Sequence, residues 1–278
     1  MTTRVWYHSK CKDGFGSALV AYMYFLENNI NDVVFEACSY NFPHPPFNDG
    51  DNLYILDFSF PRDKMLAIKE KAGSVIVLDH HKTAQEACEG LDFCVFDMEK
   101  SGAGLTWGYF YPNKSMPKLI AHIQDRDLWK WQIEGSKEVH AVLETMEYDL
   151  MLWCNLLMQL EIEPEPVYEK GKLLVTQLDN EVATISNNSF GRTWHGHNVQ
   201  WANTSLHWSD VGNHLLENYY CDFAVTFTIF NDKVMLSLRS RDDFDVSEIA
   251  KQYGGGGHKQ AAGCKVSHEV FFNIIAGK

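Results

Sequence analysis

Short apolar runs alternate with helical patterns through the first half of the chain. The runs predict four buried strands, at Val5–His8, Val33–Ala37, Leu53–Leu56 and Val75–Leu78. Helices are predicted between them at 17–26 and 62–71. Strands that are apolar throughout and separated by helices are typical of a parallel sheet with both faces covered. We therefore predict an α/β N-terminal domain built on a doubly wound, mainly parallel sheet.

The pattern changes after a long, partly charged helix predicted over 167–188. Residues 221–241 indicate two strands around a turn at Asn231–Asp232, and residues 245–253 indicate a further helix. This change predicts a second, smaller α+β domain. The predicted organisation is a first domain over 1–160, a helical linker over 161–190 and a second domain over 191–278.

The balance of charge narrows the classes of ligand. The chain carries 37 Asp and Glu against 24 Lys and Arg, a formal net charge of −13. Most of the imbalance lies in residues 1–190, which hold 28 acidic and 16 basic side chains. Binding of long duplex DNA rests on Lys and Arg contacts with phosphates, so this partner is not expected. Clustered carboxylates suit cation binding, although a solvated acidic surface is the alternative interpretation, and a small anionic ligand held through metal ions stays open.

The cysteines and the N-terminus bear on the cellular environment. Seven cysteines are scattered without a Cys-x-x-Cys pair, and the N-terminus lacks a signal-peptide pattern. No apolar run approaches the roughly 20 residues that are needed to span a bilayer. We therefore expect a soluble protein of the reducing cytoplasm, with no membrane partner.

Polar residues stand where three of the predicted strands end. His8 ends the first strand, Asp57 follows the third, and Asp79, His80 and His81 follow the fourth. Ligands of open parallel sheets bind outside the carboxyl ends of the strands, so these side chains are expected to face one crevice. Buried polar groups are costly unless they are satisfied by one another, by water or by a metal ion.

Three more acids can complete this ring. Asp13 lies in the turn after the first strand, and Asp125 and Asp127 follow a helix predicted over 118–124. A single acid after a strand is more often a helix cap or turn former than a ligand. Convergence of several acids with a pair of histidines favours a metal site instead. Carboxylates and imidazoles without organised thiolates suit manganese, magnesium, iron or cobalt more than a structural zinc ion.

Five stretches of sequence carry a resemblance to a known family. YHSKCKDGFGSA, LYILDFS, LDHHKT and IQDRD (7–18, 53–59, 78–83 and 123–127) resemble, in the same order, the four motifs of the DHH phosphoesterase superfamily. GGGGHKQAAG at 254–263 is similar to the glycine-histidine motif of the DHH-associated C-terminal domain. An Asp-His-His triplet alone is a weak signal, but the glycine-rich stretch about 175 residues later makes the resemblance specific.

The resemblance implies a catalytic first domain that binds two divalent metal ions, with manganese as the expected metal. By motif, Asp57 would bridge the two ions and His8 would bind one of them. Asp13, His80 and Asp125 would bind the other ion.

The remaining motif residues would act beside the metals. The resemblance implies that Asp79 orients a ligand and that His81 faces the scissile phosphate. One departure from the family pattern concerns Cys11, which stands where the first motif usually has an Asp, with one fewer residue after His8. Fewer carboxylates on that ion, a cysteine ligand and a weak site all remain open.

The glycine-rich stretch suggests a substrate contact in the second domain. Successive glycines can adopt positive φ and turn their N–H groups toward an anion. We therefore expect Gly255, Gly256 and Gly257, together with His258 and Arg239, to hold a terminal phosphate or the backbone of a short strand. A flexible loop is the structural alternative.

The function that the resemblance implies is metal-dependent hydrolysis of phosphodiesters in short oligonucleotides, nanoRNA or short single-stranded DNA, to 5′-mononucleotides. Alternatives within the fold are a phosphatase of 3′-phosphoadenosine 5′-phosphate and a phosphodiesterase of cyclic nucleotides or dinucleotides. A nucleotide-binding sensor without catalysis is an alternative of another class. Short oligonucleotides or nucleotides are the expected partners, and a homodimer stays open.

Overall fold

A computed structural model describes residues 1–39 and 42–277 of the chain. The chain divides into two compact units, Met1–Val175 and Thr176–Lys278. A long helix, α8 (Glu165–Ser186), begins in the first unit and ends in the second. The assignment of 161–190 as a linker between domains stays a prediction.

The first unit is built on a parallel sheet of five strands. These are β1 (Thr3–His8), β2 (Val33–Cys38), β3 (Asn52–Leu56), β4 (Ser74–Asp79) and β5 (Cys94–Phe96). Their order is β2-β1-β3-β4-β5, and every neighbouring pair is parallel. This sheet confirms the predicted α/β class of the N-terminal domain.

Successive residues of each strand point to opposite faces of the sheet, and both faces are buried. Val5 of β1 belongs to one apolar core, and its neighbour Trp6 belongs to the other. Leu56 and Ile55 of β3 divide between the two cores in the same way. Since neither face meets water, the strands are apolar throughout rather than alternating, which is the pattern in the sequence.

The described residues of the first unit form seven further helices. They are α1 (Lys12–Glu27), α2 (Arg62–Lys71), α3 (Lys82–Ala87), α4 (Gly102–Phe110), α5 (Lys118–Asp127), α6 (Ser136–Glu144) and α7 (Leu150–Ile162). Helix α2 has the predicted bounds, whereas α1 begins five residues before its predicted start. Glycines at 14 and 16 lower the helix propensity there. Tertiary packing outweighs that propensity: a Cβ on Gly14 would lie 2.4 Å from the carbonyl oxygen of His8.

The described residues of the second unit form a mixed sheet of six strands and, beyond the end of α8, three helices. The strands are β6 (Phe190–Trp194), β7 (His197–Asn203), β8 (Phe223–Ile229), β9 (Val234–Ser240), β10 (Gly256–Gly257) and β11 (Ala261–Val266). The helices are α9 (Trp208–Asn218), α10 (Val246–Gln252) and α11 (His268–Ile275). The strand order is β10-β11-β9-β8-β7-β6, in which only the pair β7 and β8 is parallel among the described strands. The predicted α+β character of the C-terminal part is confirmed.

Among the residues that the structure describes, no helix is both long enough and apolar enough to cross a bilayer.

Candidate metal centre

The predicted site residues lie where the strand order of the parallel sheet reverses. Strand β1 stands between β2 and β3: the chain passes from β1 to β2 on one side and then crosses back to β3 on the other side. A crevice forms at the carboxyl ends of the strands at such a switch point. His8 ends β1, Asp57 follows β3, and Asp79 ends β4, which brings all three to this crevice.

Three carboxylates converge on one buried imidazole. His80 Nε2 lies 3.1 Å from Asp57 Oδ1, 3.5 Å from Asp13 Oδ2 and 3.5 Å from Asp127 Oδ2. The side chains of His80, Asp13 and Asp57 are each 2% exposed. Three carboxyl groups, two of them fully buried, are therefore held close together, an arrangement that favours a positive charge between them.

The pKa values follow from this crowding. Burial raises the pKa of Asp13 well above its ordinary value, and the charge of Asp57 raises it further. Burial and the charge of Asp57 also raise the pKa of Asp127. Burial acts to lower the pKa of His80. The charge of Asp127 has the opposite effect, as do the hydrogen bond and the charge of Asp57, and together they raise the pKa to about 10. The imidazolium thus occupies the electrostatic position that a bound cation would take.

A second group of side chains that could bind a metal ion lies on the other side of Asp57. Asp57 Oδ2 lies 3.4 Å from His8 Nδ1, and ligand atoms of His8, Cys11 and Asp57 all lie within 4.8 Å of one another. Burial, with the charges of Asp57 and Asp13, raises the pKa of the Cys11 thiol well above its usual range. The two oxygens of Asp57 therefore face two different groups of ligand atoms.

Asp57 itself adopts an uncommon backbone conformation. Its φ is 55°, in the left-handed region, and its N–H donates to the carbonyl of Leu78 on β4. Asp tolerates this region better than most residues, although a positive φ outside glycine is uncommon. Burial acts to raise the pKa of Asp57, but the neighbouring imidazoles of His8 and His80 outweigh it and leave the pKa well below its usual value.

The sequence motifs did not point to Gly102, which closes the site from the N-terminus of α4. The backbone N–H groups of Gly102 and Ala103 donate to the two oxygens of Asp13. A Cβ on Gly102 would lie 2.5 Å from Asp57 Cβ and 2.8 Å from Asp13 Oδ2. The absence of a side chain thus leaves the space between the two acids. The one signal in the sequence is the N-cap pattern of Ser101 followed by glycine.

Asp79 and His81 form a pair beside the carboxylate cluster. Asp79 Oδ1 accepts from the backbone N–H groups of His80 and His81 and lies 2.7 Å from His81 Nδ1. Burial acts to lower the pKa of His81, but the charge and hydrogen bond of Asp79 raise it above its ordinary value. Asp79 therefore fixes the turn after β4 and orients the His81 ring.

The structure does not bring Asp125, the ligand expected from the fourth motif, into the cluster. Its two carboxylate oxygens accept from the backbone N–H groups of Gln132 and Ile133, at 2.9 and 3.1 Å. Burial acts to raise its pKa, but the hydroxyl of Ser136 and these N–H groups outweigh it and lower the pKa. Asp127, two residues later, occupies the place in the cluster instead.

The glycine-rich stretch of the second unit differs from the anion-binding nest that we expected. The N–H groups of Gly255 and His258 donate to the carbonyls of Ala250 and Ala261, so these two are not turned toward an anion. Gly256 and Gly257 pair with β11 as strand β10. A Cβ on Gly255 would lie 2.1 Å from the carbonyl oxygen of Gly263, and a Cβ on Gly257 would lie 2.5 Å from that of Ala261. Close packing of two backbones explains the glycines here.

Arg239 lies on β9 of the second unit. Its guanidinium donates to the hydroxyls of Ser209 and Ser237 and to the carbonyl of Leu238. A Cβ on Gly212 would lie 2.8 Å from Arg239 Cγ, so the stem of the arginine packs against α9. These contacts hold a half-buried cation in one orientation.

Comparisons with known proteins match this chain to a family model and to several relatives. A DHHA1 domain matches residues 200–276. The uncharacterized protein R106 of Acanthamoeba polyphaga mimivirus is 32% identical over 285 residues, which span 95% of this chain and 67% of the viral protein. Oligoribonuclease NrnB of Bacillus subtilis (strain 168) is 25% identical over 297 residues, 95% of this chain and 73% of that protein. RecJ of Thermus thermophilus, solved with Mn²⁺, shares the fold with a TM-score of 0.52 and 14% identity, over 99% of this chain and 51% of RecJ.

A cluster of carboxylates and imidazoles at the switch point of a parallel sheet defines an α/β protein whose site suits divalent cations. The chain belongs to the DHH phosphoesterase superfamily, as its motifs indicated, and is a phosphodiester hydrolase.

Proposed function

We propose that this enzyme hydrolyses short oligonucleotides, nanoRNA or short single-stranded DNA, to 5′-mononucleotides, and that two divalent ions, with manganese as the expected metal, are its cofactors. The convergence of Asp13, Asp57 and Asp127 on His80 carries this proposal. The likeness to a protein named oligoribonuclease supports the substrate class, and the Mn²⁺ bound by RecJ supports the metal.

The ligand groups divide between two ions with one shared carboxylate. Asp13, His80 and Asp127 are proposed to hold one ion, and His8 to hold the other, with Asp57 between them. Asp127 replaces Asp125 in this set because the Asp125 carboxylate is engaged by the loop at 132–133. Whether Cys11 is a third kind of ligand stays open. Bound divalent cations supply an activated water and offset the charge that builds on the phosphate oxygens.

His81 is proposed to act on the leaving oxygen. Its Nδ1 faces Asp79 Oδ1 at 2.7 Å, so the proton available for transfer is the one on Nε2. The charge and hydrogen bond of Asp79 raise the pKa of His81 and so favour the protonated form of the ring. Asp79 keeps the ring orientation and stabilises its positive charge, as a buried carboxylate does for other catalytic histidines.

The second unit is proposed to bind the substrate phosphate away from the reacting bond. Arg239 is fixed by Ser209 and Ser237, which favours it as a preorganised phosphate donor. His258 is the second proposed contact, whereas Gly255, Gly256 and Gly257 contribute the tight backbone packing beside it. His258→Ala and Arg239→Ala are expected to raise KM on dinucleotides about tenfold or more without loss of metal.

A cytoplasmic location stays part of this proposal, because the seven cysteines are scattered along the sequence without a Cys-x-x-Cys pair.

A product profile tests the proposed function. Labelled RNA and DNA from 2 to 20 nucleotides, cyclic dinucleotides and 3′-phosphoadenosine 5′-phosphate are each incubated with the protein and Mn²⁺. We expect 5′-mononucleotides, formed fastest from the shortest linear substrates. Asp57→Asn is the matched inactive control. Faster release of phosphate from 3′-phosphoadenosine 5′-phosphate, or binding of dinucleotides without any cleavage, would contradict the proposal.

A further inference from the structure

Two tryptophans and an arginine form a cluster on either side of the proposed ligand Asp127 in the sequence. The guanidinium carbon of Arg126 lies 4.2 Å from the ring centre of Trp129 and 5.5 Å from that of Trp131. The two indole rings meet edge to face, with centroids 5.2 Å apart. Both rings are half-buried, so part of each remains at the surface.

The backbone that carries these rings is strained. Trp129 and Trp131 have φ values of 53° and 52°, in the left-handed region. This region is unfavourable for a bulky side chain, and such strain persists only where the surroundings impose it. Neither ring has a part in the chemistry proposed above. The strain therefore indicates that the placement of the two rings serves another purpose.

Asp125 provides the contacts that impose this conformation. Its carbonyl accepts from the N–H of Lys130 at 2.9 Å, and its carboxylate accepts from the N–H groups of Gln132 and Ile133. These bonds fold the chain back on the end of α5 and hold the segment between them. The sequence motif that suggested Asp125 as a metal ligand thus contains the residue that shapes the tryptophan loop.

Trp129 and Trp131 differ from the tryptophans of the core in their exposure to solvent. Trp6, Trp153 and Trp201 are fully buried, whereas Trp129 and Trp131 keep accessible surface. Trp129 follows Asp127 by two residues, so their Cα atoms lie within about 7 Å of each other. Lys137 Nζ lies 5.8 Å from the Trp131 ring centre, which adds a second cation in a chain of net charge −13. Aromatic faces beside cations suit a base together with its phosphate.

We propose that Trp129 and Trp131, backed by Arg126, form a stacking surface for a nucleobase of the substrate, and that Asp125 is its positioning residue. This proposal rests on the proposed function for the identity of the substrate, since it takes the ligand of the metal site to be a nucleotide. The base stacked there would belong to a nucleotide next to the reacting phosphate.

Binding of two ligands that differ only in the base tests the proposal. Adenosine 5′-monophosphate and ribose 5-phosphate are titrated into the Mn²⁺-loaded protein by calorimetry. We expect the wild type to bind adenosine 5′-monophosphate about five- to hundredfold more tightly. Trp129→Ala and Trp131→Ala should bring the two affinities together by weakening only the nucleotide. Trp129→Phe, which keeps a ring, should retain most of the difference.

Two further variants control the interpretation. Tyr109→Ala removes an exposed ring on α4, 42% accessible, and should leave both affinities unchanged. Asp125→Asn keeps the size of the side chain but only one acceptor oxygen for Gln132 and Ile133. It should lower the preference for the nucleotide while ribose 5-phosphate affinity and metal content stay at wild-type values.

Equal affinities of the wild type for both ligands would overturn the proposal. Retained preference in both Trp→Ala variants would also overturn it, and would point to the aromatic cavity of about 380 Å³ that Tyr7, Phe15 and Tyr148 help to line. Dinucleotide cleavage is measured on the same preparations. Cleavage without base preference keeps the proposed function and rejects the stacking surface. Tryptophan-dependent nucleotide binding without cleavage keeps the stacking surface and rejects oligonucleotides as substrates.

Discussion

Buried acids have different partners at the two ends of the strands of the parallel sheet. Near the amino ends of the strands, Asp51 accepts from Arg4 Nε at 2.9 Å and from the backbone N–H groups of Thr2 and Asn48. Arg4 also pairs with Glu36 at 3.2 Å. Each acid there meets a permanent cation, so its charge is matched within the fold.

At the carboxyl ends, the described ion-pair contacts of the acids are with imidazoles rather than with a guanidinium. Asp13, Asp57 and Asp127 surround His80, whose charge depends on a proton. The pKa of Asp51 is lowered to about 2, mainly by the hydrogen bond from Arg4, whereas burial raises the pKa of Asp13 well above its ordinary value. Acids that stabilise a fold and acids that bind a cation are thus told apart by their partners rather than by their burial.

The largest expected effect comes from removing the charge that both ligand groups share. Asp57→Asn keeps the size of the side chain and a residue that tolerates the positive φ at this position. Loss of several kcal/mol of charge stabilisation should reduce kcat/KM on a dinucleotide by more than about a thousandfold. Steady-state kinetics with Mn²⁺ measure this, and wild-type activity in the variant would contradict the shared-ligand assignment.

His81 should rank next, because it is proposed to move a proton without holding a metal. His81→Gln is expected to lower kcat on a dinucleotide by about a hundredfold, the lower part of the range for general acid catalysis. A leaving group of low pKa needs less protonation, so p-nitrophenyl esters of nucleotides should lose much less activity. Equal losses on both substrates would exclude the acid role.

Asp127 and Asp125, at the end of the same helix, allow a proposed metal ligand to be compared with an acid that is bound by backbone N–H groups. Asp127→Asn should weaken Mn²⁺ binding by at least about tenfold, because its carboxylate faces His80. Asp125→Asn should leave Mn²⁺ affinity unchanged and lower the melting temperature, because the loop at 132–133 loses an acceptor. Calorimetry and thermal unfolding measure the two effects, and the reverse result would restore Asp125 as the ligand.

The smallest effect on activity is expected at the amino end. Asp51→Asn should keep kcat/KM within about twofold, because Asp51 lies at the opposite edge of the sheet. It should lower the melting temperature at pH 7, where the Asp51 carboxylate is ionised and bound to Arg4. The folded pKa, about 2, lies below the ordinary value of 3.8, so this stabilisation is present above pH 4 and is lost as the pH falls toward 2.

Unfolding of the wild type and of Asp51→Asn between pH 2 and pH 7 checks this dependence. The difference between the two melting temperatures should shrink with falling pH. A difference that stays constant down to pH 2 would show that packing, and not the ion pair with Arg4, accounts for the effect.

The strands and the polar residues at their carboxyl ends could be predicted from the sequence, because apolar runs mark where each strand ends. Apolar runs that stop at His8, Asp57 and Asp79 predicted both the strands and the edge at which the polar residues meet. Helix α2 was predicted with its observed bounds, and its buried residues Met65 and Ile68 are spaced three apart, as one face of a helix requires.

Other features depend on contacts between distant segments. Asp125 and Asp127 are two residues apart on α5, about 200° around the helix, so one faces away from whatever the other faces. Only the fold shows which direction leads to His80. Likewise, Gly102 matters because Asp13 and Asp57 approach it, and Gly255 because Gly263 lies against it. The sequence alone does not distinguish a run of glycines that binds an anion from one that packs against a strand.

The most direct test of the central claim is a calorimetric titration of chelator-treated protein with Mn²⁺. The claim is that crowded acids at the carboxyl end of the sheet bind cations and that paired acids at the amino end do not. We expect the wild type and Asp51→Asn to bind about two ions per chain with the same affinities. Asp57→Asn should lose binding at both ions. Binding by Asp57→Asn that equals the wild type, or a matching loss in Asp51→Asn, would contradict it.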